Sequence, residues 1–122
     1  MCDLFTDADI IHTYSRAEAI ADGMLVDVTV PARRLGILYP LAVSARAWAA
    51  LVEYPGADQT WALQSVLCVV VAQLRRARAA GQEGDRLPFQ VQRRGRPQAV
   101  VLHCGPGDDL DPVLTLLLDG ED

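Results

Sequence analysis

Lysine is absent from this chain of 122 residues, and all 11 basic side chains are arginines. Without an ε-amine, Schiff-base catalysis and a lysine general base are excluded. The three cysteines, Cys2, Cys68 and Cys104, are odd in number and scattered. They build neither a disulfide framework nor a CxxC motif. Aromatic residues are scarce, at 6%, and none interleaves with the arginines as a base-stacking surface requires. No apolar run reaches the ~18 residues of a membrane span. The opening Met1-Cys2-Asp3-Leu4-Phe5 lacks a basic stretch followed by an apolar one, so no secretory leader is expected and the expected compartment is the cytoplasm.

What is present is a globular composition, 51% hydrophobic and 22% charged, long enough for one domain over 1–122 with its own core. The net charge of −5 is laid down in blocks. Residues 1–27 carry six acids against Arg16, and residues 105–122 carry six acids and no base. Between them, residues 75–96 hold seven arginines against Glu83 and Asp85.

Start and stop signals mark the helices. Ser15 and Glu18 have capping-box spacing, and Gly23 follows the short helix they open. Met24 to Val28 reads as a strand, and Pro31 opens a helical turn closed by Gly36. Ser44 caps a helix over 45–54, stopped by Pro55-Gly56. Asp58 caps the longest helix, 59–80, whose last turns carry Arg75, Arg76 and Arg78 against the negative end of the helix dipole. This helix has little polar surface between Trp61 and Leu74, which predicts a central helix buried nearly all round. Trp48 and Trp61 are expected as core anchors.

From Leu87 onward, three β-prone runs are separated by two glycine–proline breaks. Pro97 has no N–H to close a two-residue turn, so a four-residue loop is expected. That loop pairs Val91 with Val100, Phe89 with Leu102 and Leu87 with Cys104. Period-two alternation then points these six side chains into the core and His103 away from it. Residues 113–118 are apolar on both faces, as in a central strand or one with a partner face. The expected fold is α+β: a single domain with an antiparallel meander sheet of about four strands packed against helices, one of them long and central.

The run Tyr14-Ser15-Arg16-Ala17-Glu18-Ala19-Ile20-Ala21-Asp22-Gly23, with Leu25-Val26-Asp27-Val28, resembles the opening of an uncharacterised family of short bacterial, plasmid and phage proteins, a domain of unknown function. The ending resembles that family too: Cys104-Gly105-Pro106-Gly107-Asp108, then Asp111-Pro112-Val113-Leu114-Thr115 and Gly120-Glu121-Asp122. Pro40, Val43 and Trp48 fit its middle. The resemblance implies an intracellular accessory protein, often carried on mobile elements, and supplies no catalytic residues. Family members often have a longer, charged connection between the main helices than the short 55–60 segment here.

Four groups of residues invite chemistry. Gly105, Pro106, Gly107 and Asp108 follow a strand but lack a phosphate-loop lysine, and read as a tight turn with positive-φ glycines and an aspartate cap. Asp108, Asp109 and Asp111 offer hard oxygen ligands outside the DxDxDG register, which solvated acids explain as well. His103 and Cys104 are adjacent on a strand and point to opposite faces, so they cannot act as a pair. Arg75, Arg76, Arg78, Arg86, Arg93, Arg94 and Arg96 form a basic patch if the hairpin tip and the long helix's end meet. They otherwise neutralise the acidic ends of the chain.

These features point to a non-enzymatic interaction protein without cofactor or metal, acting on host or mobile-element machinery, for example against a defence system. A protein partner, or a second copy through the last strand, is expected. A nucleic-acid-binding accessory factor using Arg75, Arg76, Arg78, Arg93, Arg94 and Arg96 is the alternative.

Overall fold

A computed structural model describes residues 14–121. The fold is α+β, as expected, with the elements in the order α1 (Arg16–Ala21), β1 (Leu25–Asp27), α2 (Thr29–Arg34), β2 (Leu41–Ser44), α3 (Ala45–Leu51), α4 (Gln59–Ala79), β3 (Arg86–Arg93), β4 (Arg96–Pro106) and β5 (Pro112–Leu118). Among the described residues no helix is long and apolar enough to cross a membrane.

The expected caps form. Ser15 Oγ accepts from the Glu18 N–H at 3.0 Å while Glu18 accepts from the Ser15 N–H. Ser44 and Asp58 cap α3 and α4 through the N–H groups of Ala47 and Trp61. The 45–54 helix stops earlier than expected, at Leu51.

The sheet differs from an antiparallel meander of about four strands. It has five strands in the order β1-β2-β5-β4-β3, and β2 runs parallel to β5. β3, β4 and β5 form the expected meander. The unexpected strand is β2, whose four residues are all buried. A strand covered on both faces shows no polar–apolar alternation, which is why its sequence carries no period-two signal. β5 is the middle strand, hydrogen-bonded to β2 on one side and β4 on the other. Its backbone is therefore unavailable for pairing with a second copy through the last strand.

The β3–β4 register is also corrected. Arg93 pairs with Arg96 across a two-residue turn, Val91 with Gln98, Phe89 with Val100 and Leu87 with Leu102. Arg94 and Gly95 have φ of 55° and 76°, as a type I′ turn demands. Pro97 is tolerated because it does not close the turn. Cys104 donates its N–H to Asp85, so even-numbered β4 residues face β3, whereas the Ala99 carbonyl accepts from Asp119 on the β5 side. Pro97 shares the parity of Ala99 and lies beyond the last β4–β5 pair, Val100 with Leu118. Its missing N–H costs no ladder bond. The slip moves every partner by two residues, so the faces stay as expected.

One sheet face carries Leu41, Val43, Val91, Val100, Leu102, Leu114 and Leu116, and packs with Ala32, Ala47, Leu51, Ala62, Val66, Leu67 and Val70 into the main core. α4 buries only one side. Ala62, Val66 and Val70 recur every four residues and face the sheet, while Trp61, Gln64, Cys68 and Ala72 are exposed. The expectation of an all-round buried helix fails because small and uncharged side chains, rather than charges, occupy its outer stripe.

The opposite sheet face carries Ala42, Val101, His103, Thr115 and Leu117. α1 docks here through polar contacts. The Arg16 guanidinium donates to Thr115 Oγ1 and the Leu114 carbonyl, both at 2.7 Å. Asp108 accepts the backbone N–H groups of Arg16 at 2.8 Å and Ala17 at 3.0 Å. Asp108 thus caps a helix 90 residues away in sequence rather than its own turn.

The Arg16 and Ala17 N–H groups, helped by the Arg16 charge, hold the Asp108 carboxyl below the usual carboxylate range. A carboxyl held low favours the docked helix above the ordinary value of 3.8, and that contribution vanishes as pH falls through its own lowered value. The Arg16 and Ala17 amide resonances will therefore titrate together at acid pH, and Asp108→Asn will abolish that step. An unchanged titration in Asp108→Asn assigns it to another group.

Candidate interaction surface

The basic cluster does not assemble as one patch. Arg93, Arg94 and Arg96 sit at the hairpin tip beside the first turns of α4, since Arg93 bonds to Ala62 and Ser65. Arg75, Arg76 and Arg78 lie at the other end of α4. The 13 residues from Ala62 to Arg75 span about 20 Å of helix. Arg86 opens β3, at the far end from the tip, beside Arg78 around a shared depression.

Arg93 is the surprise within the set. It alternates onto the core face after Val91 and is 7% exposed. Nε donates to the Leu51 carbonyl at 2.7 Å, Nη1 to Gln92 O at 2.8 Å, and Nη2 to Ala62 O at 2.9 Å and Ser65 Oγ at 2.6 Å. Leu51 ends α3, so its carbonyl is one that the helix itself leaves unpaired. The guanidinium also lies 5.6 Å from the Trp61 ring centroid and 5.9 Å from that of Tyr54, within cation–π reach. Its charge is balanced by carbonyl dipoles, a hydroxyl and two rings, with no carboxylate among these partners.

This arrangement corrects the expectation for Trp61. The ring is 58% exposed, held against Arg93 rather than buried in the core. Trp48 is half-buried, packs against the core and donates Nε1 to Glu53 at 3.1 Å. Arg94 follows Arg93 into the turn and Arg96 pairs with Arg93 across the hairpin, and both are exposed. Arg94 occupies a left-handed conformation that glycine or asparagine would adopt at less cost, roughly 1 kcal/mol. The result is an open indole held against a hairpin tip that carries two exposed arginines. Composition could not reveal it, because the aromatic and the arginines are separated by about thirty residues of chain and meet only through the fold.

A second concavity lies beneath α1, a shallow depression of about 290 Å³ lined by Tyr14, Arg16, His103, Asp108 and Thr115 among others. His103 Nε2 is 3.9 Å from Asp85 Oδ2. Arg16 and Asp108 spend their polar atoms on docking α1, and Tyr14 donates to Asp22, which pushes its phenol pKa up to about 12. Cys104 lines a different depression on the helix-covered side, with Leu74, Leu87 and Leu102. The histidine and the thiol are thus on opposite faces, as the alternation requires.

The turn after β4 is displaced from its expected place. Gly105 and Pro106 belong to β4, and the turn runs from Gly107 to Asp111. Positive φ falls on Leu110, at 70°, and not on Gly105 or Gly107. Those glycines are needed for space. A Cβ at Gly105 would meet the His103 ring at 2.8 Å, and one at Gly107 would meet the Val113 methyl at 2.8 Å. Among the described residues no group of three His, Cys, Asp or Glu side chains could hold a metal ion.

Comparison of the chain with protein-family models, curated proteins and solved structures returned no match in any of the three.

Arg93→Ala will lower unfolding stability by about 2–4 kcal/mol in urea titration, because buried carbonyls lose charged donors. Arg93→Lys will recover little of it, since an ammonium cannot reproduce the planar fork. A loss below about 0.5 kcal/mol removes Arg93 from the structural role assigned to it.

Proposed function

We propose that this protein acts by binding rather than catalysis, as a small accessory protein whose contact surface is Trp61 with Arg94 and Arg96. The observation that carries this reading is the exposed indole, fixed in place by the buried guanidinium behind it. Tryptophan and arginine dominate the energetics of interfaces, because both offer large contact area with few degrees of freedom to lose. An exposed tryptophan with one face already held against a buried guanidinium has less ordering cost left for association. Its neighbour Arg94 holds a strained backbone conformation, a feature that concentrates at functional positions. The terminal resemblance adds the setting of an accessory protein of a mobile element, acting on host or element machinery.

The test is affinity capture from cells that carry the gene, using the natural chain beside a Trp61→Ala, Arg94→Ala, Arg96→Ala variant. The expected result is a saturable partner, protein or nucleic acid, retained by the natural chain and lost by a variant with its core intact by near-ultraviolet circular dichroism. A partner held equally by both moves the contact surface elsewhere. Turnover of a substrate that survives this triple substitution counts against the reading as a whole.

A further inference from the structure

We propose that the ligand of this surface is single-stranded nucleic acid lying along the outer face of α4, an inference that rests on the contact surface named above. At 100° per residue, Trp61, Gln64, Cys68, Ala72 and Arg75 fall on one stripe, opposite the buried Ala62, Val66 and Val70. Trp61, Gln64, Cys68, Ala72 and Arg75 are all exposed. Between Asp58 and Arg75 the helix carries no charged residue. The stripe is therefore an uncharged floor, hollowed where Cys68, Ala72 and Arg75 line a depression with Leu35, with arginines at both ends: Arg94 and Arg96 at the hairpin tip held against Trp61, then Arg75 and Arg76 about 20 Å along the axis.

That layout suits a polyanion carrying planar groups. Single strands bind where a basic track follows the backbone and an aromatic ring stacks a base. Arg93 covers one face of the indole from the interior, which leaves the outer face for a base. The arginines that failed to make one patch become the two ends of one track. A duplex cannot offer an unstacked base to Trp61, and an acidic polypeptide would answer the charges without using the ring. Charge complementarity alone therefore does not choose between ligands, whereas the indole does. The nearby acids Glu53 and Asp58 are exposed and accept from Trp48 Nε1 and the Trp61 N–H; their charges oppose a phosphate at this end, so the indole and the arginines must outweigh them.

The experiment is a titration of a fluorescein-labelled twelve-nucleotide oligothymidylate at about 50 mM salt, read by anisotropy and by quenching of tryptophan emission. The expected result is binding with quenching, weakened about tenfold or more by Arg94→Ala with Arg96→Ala, and also by Arg75→Ala with Arg76→Ala. A four-nucleotide oligomer, too short to reach both ends, will bind more weakly and lose its sensitivity to Arg75 and Arg76. Trp61→Phe keeps a ring in place and will retain most of the affinity, whereas Trp61→Ala will not.

Absence of binding, or equal binding to duplex, overturns the proposal. So does tighter binding of poly-glutamate that competes with the oligonucleotide, which makes the ligand an acidic polypeptide and leaves the contact surface standing. Failure of both this titration and the capture experiment sinks both readings.

Discussion

The buried Arg93 guanidinium is the joint on which the arrangement of this protein depends. Through one side chain it ties the end of α3, the start of α4 and the tip of the β3–β4 hairpin. The two helices are otherwise positioned against the sheet by apolar contacts that are non-directional. The guanidinium's fixed fork of donors adds the direction. Taking it from water is costly, and only a near-complete set of acceptors offsets that cost. Leu51 O, Gln92 O, Ala62 O and Ser65 Oγ supply such a set, and the Leu51 carbonyl also presents the negative end of a helix. The hairpin tip is thereby fixed against α4, and with it the spacing between Trp61 and the exposed Arg94 and Arg96.

The two sheet faces are held by different physics. Leu41, Leu51, Val66, Leu67, Val70 and Leu116 are fully buried on the helix-covered side. On the opposite face α1 contributes one buried residue, Ala19, and is held by Asp108 and Arg16. Six residues of helix with so little apolar burial cannot approach the stability of the main core, so α1 belongs to the low-stability end of the molecule. Its docking follows the charge state of one exposed carboxylate, whereas the Trp61 surface is anchored in the most stable part of the fold. A contact surface placed there does not need to reorganise before it binds.

Local chemistry was legible in the sequence and long-range chemistry was not. Ser15 with Glu18, Ser44, Asp58, Gly23 and Gly36 announce helix ends because each acts on backbone groups a few residues away. The facing of β4 follows from alternation, which survives the two-residue slip in register. Pro97 as a missing donor points to a longer loop, but its parity turns that missing donor away from β3, and parity is fixed only once β5 is placed. β2 escaped notice because burial on both faces erases periodicity. The arginines looked equivalent because nothing local separates Arg93 from Arg94, yet alternation buries one and projects the other. Trp61 looked like core because a tryptophan among alanines and leucines usually is. Its outward place follows from the phase of α4, which Ala62, Val66 and Val70 set.

A chain of net charge −5 would be an unexpected carrier for the proposed polyanion, and the resolution lies in range. At physiological salt a charge is screened within about 8 Å. Acids farther than that from the track would therefore weaken long-range attraction more than contact. Affinity for the proposed single strand would then come from short-range terms, stacking on an indole and a few guanidinium–phosphate contacts, rather than from a broad positive field. Such a surface discriminates better than a uniformly basic one, because it repels at a distance what it cannot stack at contact. Four exposed arginines imply few displaced counterions and so a shallow dependence of affinity on salt. The geometry of α4, more than the charge of the protein, sets what can lie on it.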